Sequence, residues 1–502
     1  MREFLLLFVA VFLFGSCQSY LETNPDSSLD IQIDSEEKIA ELLTGAYPEA
    51  SYFAFLEART DNVEERVNGV HTRLNEAMFF WEDYDQEDLD TPLNYWNECY
   101  RGIAQANKAL ELLASYPKTA RVKALYGEAF MLRAYLHFML VNIWAEPYGT
   151  AKSAIAPGIP YLTQPEKHAL VGYSRGTVKE VYEKIEKDLK LGISLVSDDY
   201  YEKPKFHFNK KAAYAFASRF YLMKGEWDLV IEYANYVLGA DQRKILRNWK
   251  AYEKELMFNR KSLYRRYTDP QEPANLLLAT TESRIARNFR VDKYGLSDNA
   301  LERIYNKTGI EGCHDLAKLY MAPLFIPVGS PVPVTDGSYI AKFDELSLFG
   351  HTGAKPKGLY VTNVLFTTDE VMLNRMEAYA MKDDYEKSID DLLNYLRIKF
   401  GIEEPACGRS SIYWGNLDNY KLYTPFYGMN VRQLALIKVF SDFRQKEFMH
   451  EGLRWFDIRR FYLPVKRSSK NSFYRPLRKE DPRKLLQIPA EAINRGLEPN
   501  PR

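Results

Sequence analysis

The 502-residue chain is expected to be mostly α-helical: helical hairpins form the scaffold, with irregular loop-rich insertions and few short strands. Three observations predict this. Apolar residues recur at helical spacing over long segments, as in the stripe Val431, Leu434, Ile437, Phe440 and Phe443. One hairpin pattern, Tyr221-Leu222-Met223-Lys224-Gly225-Glu226-Trp227-Asp228, returns at an offset of 158 residues as Tyr379-Ala380-Met381-Lys382-Asp383-Asp384-Tyr385-Glu386. The stretches between the helical segments carry clustered prolines, such as Pro147, Pro157, Pro160 and Pro165, which cannot continue a helix.

Taken from the N-terminus, residues 1–16 hold Arg2, an apolar run from Phe4 to Phe14 and the small pair Gly15-Ser16. The run is too short to span a bilayer and reads as a secretory signal. Cys17 directly after two small residues looks like a lipidation site, which would anchor the mature chain, residues 17–502, to a membrane without threading it. That mature chain is expected to form a single domain. Helical segments are predicted over about residues 93–145, 177–239, 367–400 and 430–452. In residues 210–239, Ala213, Ala217 and Tyr221 share one helix face, and Val230, Ala234 and Val237 line its partner. A loop-rich lobe is expected over about 241–365 and 403–428. Near the C-terminus Gly452 offers a helix stop. Beyond it, Trp455 and Phe456 beside Arg454, Asp457 and Arg459 imply that charged groups are buried as pairs.

Composition excludes several functions. A net charge of −1 and an isoelectric point near 6.7 argue against a polyanionic partner such as nucleic acid. After Cys17 only Cys99, Cys313 and Cys407 remain, an odd and widely spaced set with no disulfide framework, although one bridge stays open. Gly172-Tyr173-Ser174-Arg175-Gly176 matches a nucleophile-elbow pattern. Ala169-Leu170-Val171 is a poor strand to precede it, however, and Thr177 with Glu180 reads as a capping box opening a helix. The run Asp83-Tyr84-Asp85-Gln86-Glu87-Asp88 lacks the turn glycine and closing glutamate of a calcium loop. No catalytic residue, cofactor or metal site is expected, and a structural cation has no motif behind it. The excess is aromatic: 36 Tyr, 28 Phe and 7 Trp. Exposed rings of this kind suit sugar binding, because the flat face stacks while the hydroxyl finds a polar partner.

The hairpins resemble tetratricopeptide units, and this implies a right-handed superhelix in which each unit buries its apolar face against a neighbour. More specifically, Phe443-Arg444-Gln445-Lys446-Glu447-Phe448-Met449-His450-Glu451-Gly452-Leu453-Arg454-Trp455-Phe456-Asp457-Ile458-Arg459-Arg460-Phe461 resembles the C-terminal signature of the SusD/RagB family. The family form has Glu-Arg where this chain has Asp442-Phe443-Arg444. Gln18–Pro25, Tyr95–Asn107, Gly158–Tyr161, Ser174–Tyr182 and Leu486–Glu491 are similar to the family as well. The resemblance implies a lipid-anchored outer-membrane protein facing the cell exterior. It would bind an oligosaccharide and pass it to a partner TonB-dependent transporter, making and breaking no bond. A RagB-like peptide receptor and a tetratricopeptide-type scaffold for a protein tail are the alternatives, with a surface hydrolase more remote. Because the first repeat's loops face the ligand in that family, Trp81, Asp83 and Tyr84 are expected ligand contacts. Trp249, Tyr294, Tyr305, Trp414 and Tyr423 join them as large aromatics in irregular segments, whereas Trp96 sits at core spacing with Tyr100 and Ile103.

Overall fold

The computed structural model describes residues 33–149, 153–165, 172–256, 260–305, 325–327, 337–347, 359–401, 428–470 and 474–502. The expected signal segment, Cys17, Cys313, Cys407, Trp414 and Tyr423 lie outside these residues.

The chain opens with α1 (Glu36–Thr44) and α2 (Phe53–Ala58), then a two-residue strand β1 (Glu64–Glu65) and α3 (Arg73–Phe79). The first long hairpin follows as α4 (Pro92–Leu113) and α5 (Ala120–Trp144). Thr91 caps α4 by accepting from the Asn94 amide with Pro92 in the first turn, and Thr119 caps α5 through the Val122 amide. From Leu125 onward nearly every α5 side chain is buried, so this helix is enclosed on all sides and forms the axis of the core, with Glu128, Arg133, His137 and Asn142 buried among its apolar residues. Next comes α6 (Val178–Leu195), opened by the Thr177–Glu180 capping box that the sequence predicts.

Two hairpins repeat one turn design. In the first, α7 (Lys210–Lys224) passes to α8 (Trp227–Leu238) through Gly225, whose φ of 76° is left-handed. The Gly225 amide bonds to Leu222 O and the Glu226 amide to Tyr221 O, which satisfies the last carbonyls of α7. The second hairpin is reached after α9 (Trp249–Leu256), α10 (Arg260–Tyr267), β2 (Asn275–Glu282), α11 (Ile285–Val291), β3 (Tyr294–Gly295), α12 (Asp298–Tyr305), β4 (Phe325–Pro327), β5 (Ser338–Ile340), β6 (Leu346–Ser347) and β7 (Leu359–Thr367). It consists of α13 (Thr368–Met381) and α14 (Tyr385–Phe400), and its turn places Asp383 at φ 61° with the same pair of bonds, to Ala380 O and Tyr379 O. Asp tolerates the left-handed region because its short polar side chain bonds locally; here its carboxylate accepts from Asn430 and Gln433. Most strands have two or three residues, but β2 and β7 run to eight and nine: β2, β7 and β6 form one antiparallel sheet in that order, while β1 pairs β3 and β4 pairs β5.

The last helices are α15 (Val431–Glu447), α16 (Leu453–Arg460) and α17 (Ala490–Asn494). Here the structure corrects one expectation. Gly452 does not stop the helix before it: α15 ends at Glu447, and Gly452, at φ 69°, is the N-cap of α16. The reason lies in α2. Its buried Glu57 carboxylate accepts the backbone N–H of His450 at 2.9 Å and of Gly452 at 3.3 Å, and so holds the intervening turn. Burial pushes the Glu57 pKa up to about 7 from 4.5, against the pull of those amides and Asn62. The folded state therefore holds this proton more tightly than the unfolded chain does. Stability is expected to fall by about 3 kcal/mol as pH rises through that window, then to level off. Urea midpoints measured from pH 4 to 8 check this: the decline should shrink in Glu57→Gln, and an unchanged slope would contradict it.

The expected burial of paired charges is present around α16. Asp457 accepts from Arg444 and Arg460, each at 3.0 Å; Arg460 continues to Glu377 on α13 at 2.7 Å, and Arg454 meets Asp61 at 2.8 Å. The buried apolar side chains form one contiguous core from Ile39 to Leu497.

Candidate functional site

Four of the predicted ligand aromatics turn out to be core. Trp81, Trp249, Tyr294 and Tyr305 are only 2, 1, 2 and 0% exposed. Each spends its polar atom or its face internally. The Trp81 indole N–H donates to Arg59 O at 3.0 Å, and its ring lies 4.3 Å from the Arg467 guanidinium. Trp249 donates to the Glu447 carboxylate at 3.0 Å, Tyr305 donates to Lys446 O at 3.2 Å, and Tyr294 packs 4.6 Å from Phe79. Large rings with one satisfiable polar handle are favoured inside, so no face remains for a sugar here. Asp83 is exposed and pairs with Arg502, whereas Tyr84 is half-buried against the core.

The structure brings a different set together. A cleft of about 360 Å³ runs along α4, with the proline-rich loop of residues 153–165 on one side and the segment around α17 on the other. Trp96 forms its floor, 5.0 Å from both Tyr100 and Trp144. Tyr173, Leu162 and Leu497 wall it, and Asn97 and Arg101 stand among its polar lining. Trp96, Tyr100, Ala104 and Asn107 follow one another at helical spacing, so a single face of α4 supplies much of the cleft.

The opposite wall is held by a buried polar chain. Tyr100 donates its hydroxyl to Pro160 O at 3.0 Å. Asn107 donates to Leu162 O and Gln164 O while accepting from Arg133, and Arg133 grips Asp188 of α6 through two bonds of 2.6 and 2.8 Å. His137 takes the Leu162 amide on Nε2 at 3.0 Å, keeps Nδ1 on Arg133 O at 2.8 Å and stacks on Tyr161 at 3.8 Å. Burial lowers its pKa to about 3, so the ring is neutral; Nδ1 carries the hydrogen and Nε2 accepts. A fully satisfied network of this kind makes an otherwise irregular loop rigid. The third wall depends on Asn500, which donates to Trp144 O and Leu486 O, each at 2.7 Å, and accepts from Arg175 at 2.8 Å. The acidic loop that the sequence singles out meets this wall: Asp85 accepts the Ala490 amide at 3.0 Å.

Chemically the cleft offers stacking surface and hydrogen bonds. Its carboxylate Glu491 is paired with Arg495 at 2.5 Å. Ser174 is exposed on the turn that opens α6, and the nearby Glu180 is engaged by the Thr177 amide at 2.8 Å, so the elbow-like motif serves a helix start. Among the described residues no group of three or more His, Cys, Asp or Glu could hold a metal, and no helix is long and apolar enough to cross a membrane.

Comparison with known proteins places these features. A family model described as starch-binding and associating with the outer membrane matches residues 19–222, and a model of the SusD family matches residues 353–493; together they cover more than half of the chain. A SusD-like protein, P38, of Formosa agariphila is 24% identical over 271 residues, 51% of this chain and 48% of that protein. The matched region thus spans about half the length of that relative. A SusD superfamily protein from Bacteroides thetaiotaomicron shares the fold with a TM-score of 0.68 at 19% identity, covering 93% of this chain and 100% of that one. A laminarin-binding SusD-like protein gives 0.58 at 14% identity, covering 93% and 98%.

Proposed function

The chain belongs to the SusD/RagB family, and from that premise and the cleft on α4 we propose that it is a surface-bound receptor for an oligosaccharide. One observation carries the reading: Tyr100 and Tyr173, above the buried Trp96, face a cleft of about 360 Å³ whose rigid walls add amide and guanidinium groups. Pyranose rings present flat C–H faces to such aromatics and hydroxyls to such donors. The laminarin-binding neighbour of the same fold is consistent with it. In this reading Cys17 carries the lipid that holds the protein on the outer membrane, facing outward. The protein delivers its cargo unaltered to a TonB-dependent barrel transporter. Since the cleft is open along one side, affinity rests on a few stacked rings and stays modest, as release to a transporter requires.

Calorimetric titration of the purified full chain against a panel of oligosaccharides tests this. Tyr173→Ala is expected to weaken the best ligand about tenfold, corresponding to about 1.4 kcal/mol. Equal binding by wild type and variant across the panel, tighter binding of peptides than of any glycan, or turnover of a bound sugar would overturn the reading.

A further inference from the structure

A second, more open basin of about 690 Å³ adjoins the aromatic cleft. The two share Pro160, Leu162 and Tyr173, so together they form a single trough with Tyr173 at the saddle. An occupant of both must be elongated. The character of the surface changes across the saddle, because the basin is lined by Arg175, Glu180, Glu183, Lys184 and Lys187.

Its positive and negative groups are not equivalent. Glu180 is committed to the start of α6: it accepts the Thr177 amide at 2.8 Å, and the Thr177 backbone and hydroxyl hold its carboxyl below the usual range. Glu183 lies 3.9 Å from Lys179 on its own helix. Lys184 and Lys187, three positions apart on the same helix face, make no ion pair among the described residues; Lys184 approaches the Tyr161 ring, at 5.8 Å, and its charge is felt by Glu180 one helical turn away. Arg175 is 6% exposed and spends its guanidinium on Gly158 O and Glu498 O, each at 2.7 Å, and on the Asn500 side chain, all uncharged acceptors. Among the described residues, three cations therefore border the basin without a carboxylate in hydrogen-bonding contact, while Glu180 and Glu183 each have a nearer partner.

We infer that the basin is a subsite for an anionic group, so that the cargo is an acidic oligosaccharide. Resting on the receptor function proposed above, this places one sugar ring against Tyr100 and Tyr173 and a carboxylate or sulfate ester of a neighbouring unit over Lys184 and Lys187. Two exposed ammonium groups supply modest, salt-screened attraction, which suits selection among chains that all stack equally well on the aromatics.

The test uses the full chain and three probes of equal length: a neutral glucan oligosaccharide, an oligouronate and a sulfated oligosaccharide. At low salt at least one anionic probe is expected to bind about tenfold more tightly than the neutral one, with the advantage lost near about 0.5 M salt. Which anionic probe wins identifies the group. Lys184→Gln with Lys187→Gln should bring the anionic probe down to the neutral affinity and leave the neutral probe and the thermal midpoint unchanged, because both side chains are exposed. Tyr173→Ala should weaken all three. An anionic probe no tighter than the neutral one, or a preference that survives the double lysine substitution, overturns the anionic subsite and leaves the glycan receptor intact. If no probe binds, both readings fall.

Discussion

Arg66→Ala is expected to destabilise the non-repeat lobe by at least about 4 kcal/mol, making it one of the most damaging single substitutions in this chain. The Arg66 guanidinium is buried and donates to five backbone carbonyls: Phe289, Arg290 and Asp292 through Nη1, Leu296 and Ser338 through Nη2, at 2.9 to 3.4 Å. These belong to α11, the β3 region and β5, elements with short strands and few regular bonds of their own. Alanine would leave those oxygens without a buried donor where water has little access. Lysine should rescue little, since a point ammonium with three donors cannot span carbonyls that a planar fork reaches on two sides. Glycine packing supplies an independent check. A Cβ on Gly295 would fall 2.6 Å from Arg66 Cζ, so Gly295→Ala should reproduce part of the loss by displacing the guanidinium. Hydrogen exchange reads this directly: amides of α11, β3 and α12 should lose protection while those of α4 to α8 keep it. Wild-type protection in Arg66→Ala would defeat the prediction.

Asp457→Asn should cost about 3–5 kcal/mol in urea unfolding. Asp457 is buried between two guanidiniums, accepting from Arg444 and Arg460, and through Arg460 and Glu377 it ties α16 to α13. Burial alone would raise its carboxyl; Arg444, Arg460 and Arg454 outweigh this and hold it below 3.8. The folded pKa being depressed, its contribution is present above about pH 4 and disappears as pH falls below that value. Asparagine removes one acceptor and turns an amide N–H₂ toward a cation, so among the described residues Arg444 stays buried without a carboxylate and Arg460 keeps Glu377. A variant that unfolds at the wild-type urea concentration, or that shows the wild-type acid sensitivity below pH 4, would show that the network does not hold these helices together.

Both predictions concern residues that look ordinary in the sequence. Arg66 follows Glu64 and Glu65 in what reads as a charged surface turn, and nothing nearby signals that carbonyls more than two hundred positions away converge on it. Asp457 was more legible, because aromatics crowd it and a carboxylate among aromatics must be paired if it is buried. The same contrast runs through the site. Trp81 precedes the first repeat, whose loops face the ligand in the resembled family, yet Arg467 and Tyr474 from the far end of the chain close over it. Tyr100 and Tyr173 attracted no functional reading, because the cleft they line exists only once the proline-rich loop and the segment around α17 have docked on α4.

The amino-acid order alone was sufficient for whatever short-range physics decides. The hairpin turns at Gly225 and Asp383, the capping box at Thr177 and Glu180, and the buried stripes of residues 213–237 all depend on residues within a turn or two of each other, so their spacing is their structure. The stripe opening at Val431, by contrast, leaves that residue exposed. Which aromatic faces stay open to a ligand was decided only by the tertiary fold. Exposure depends on what packs against a ring, and here the covering groups arrive from hundreds of residues away, a separation that local periodicity does not encode.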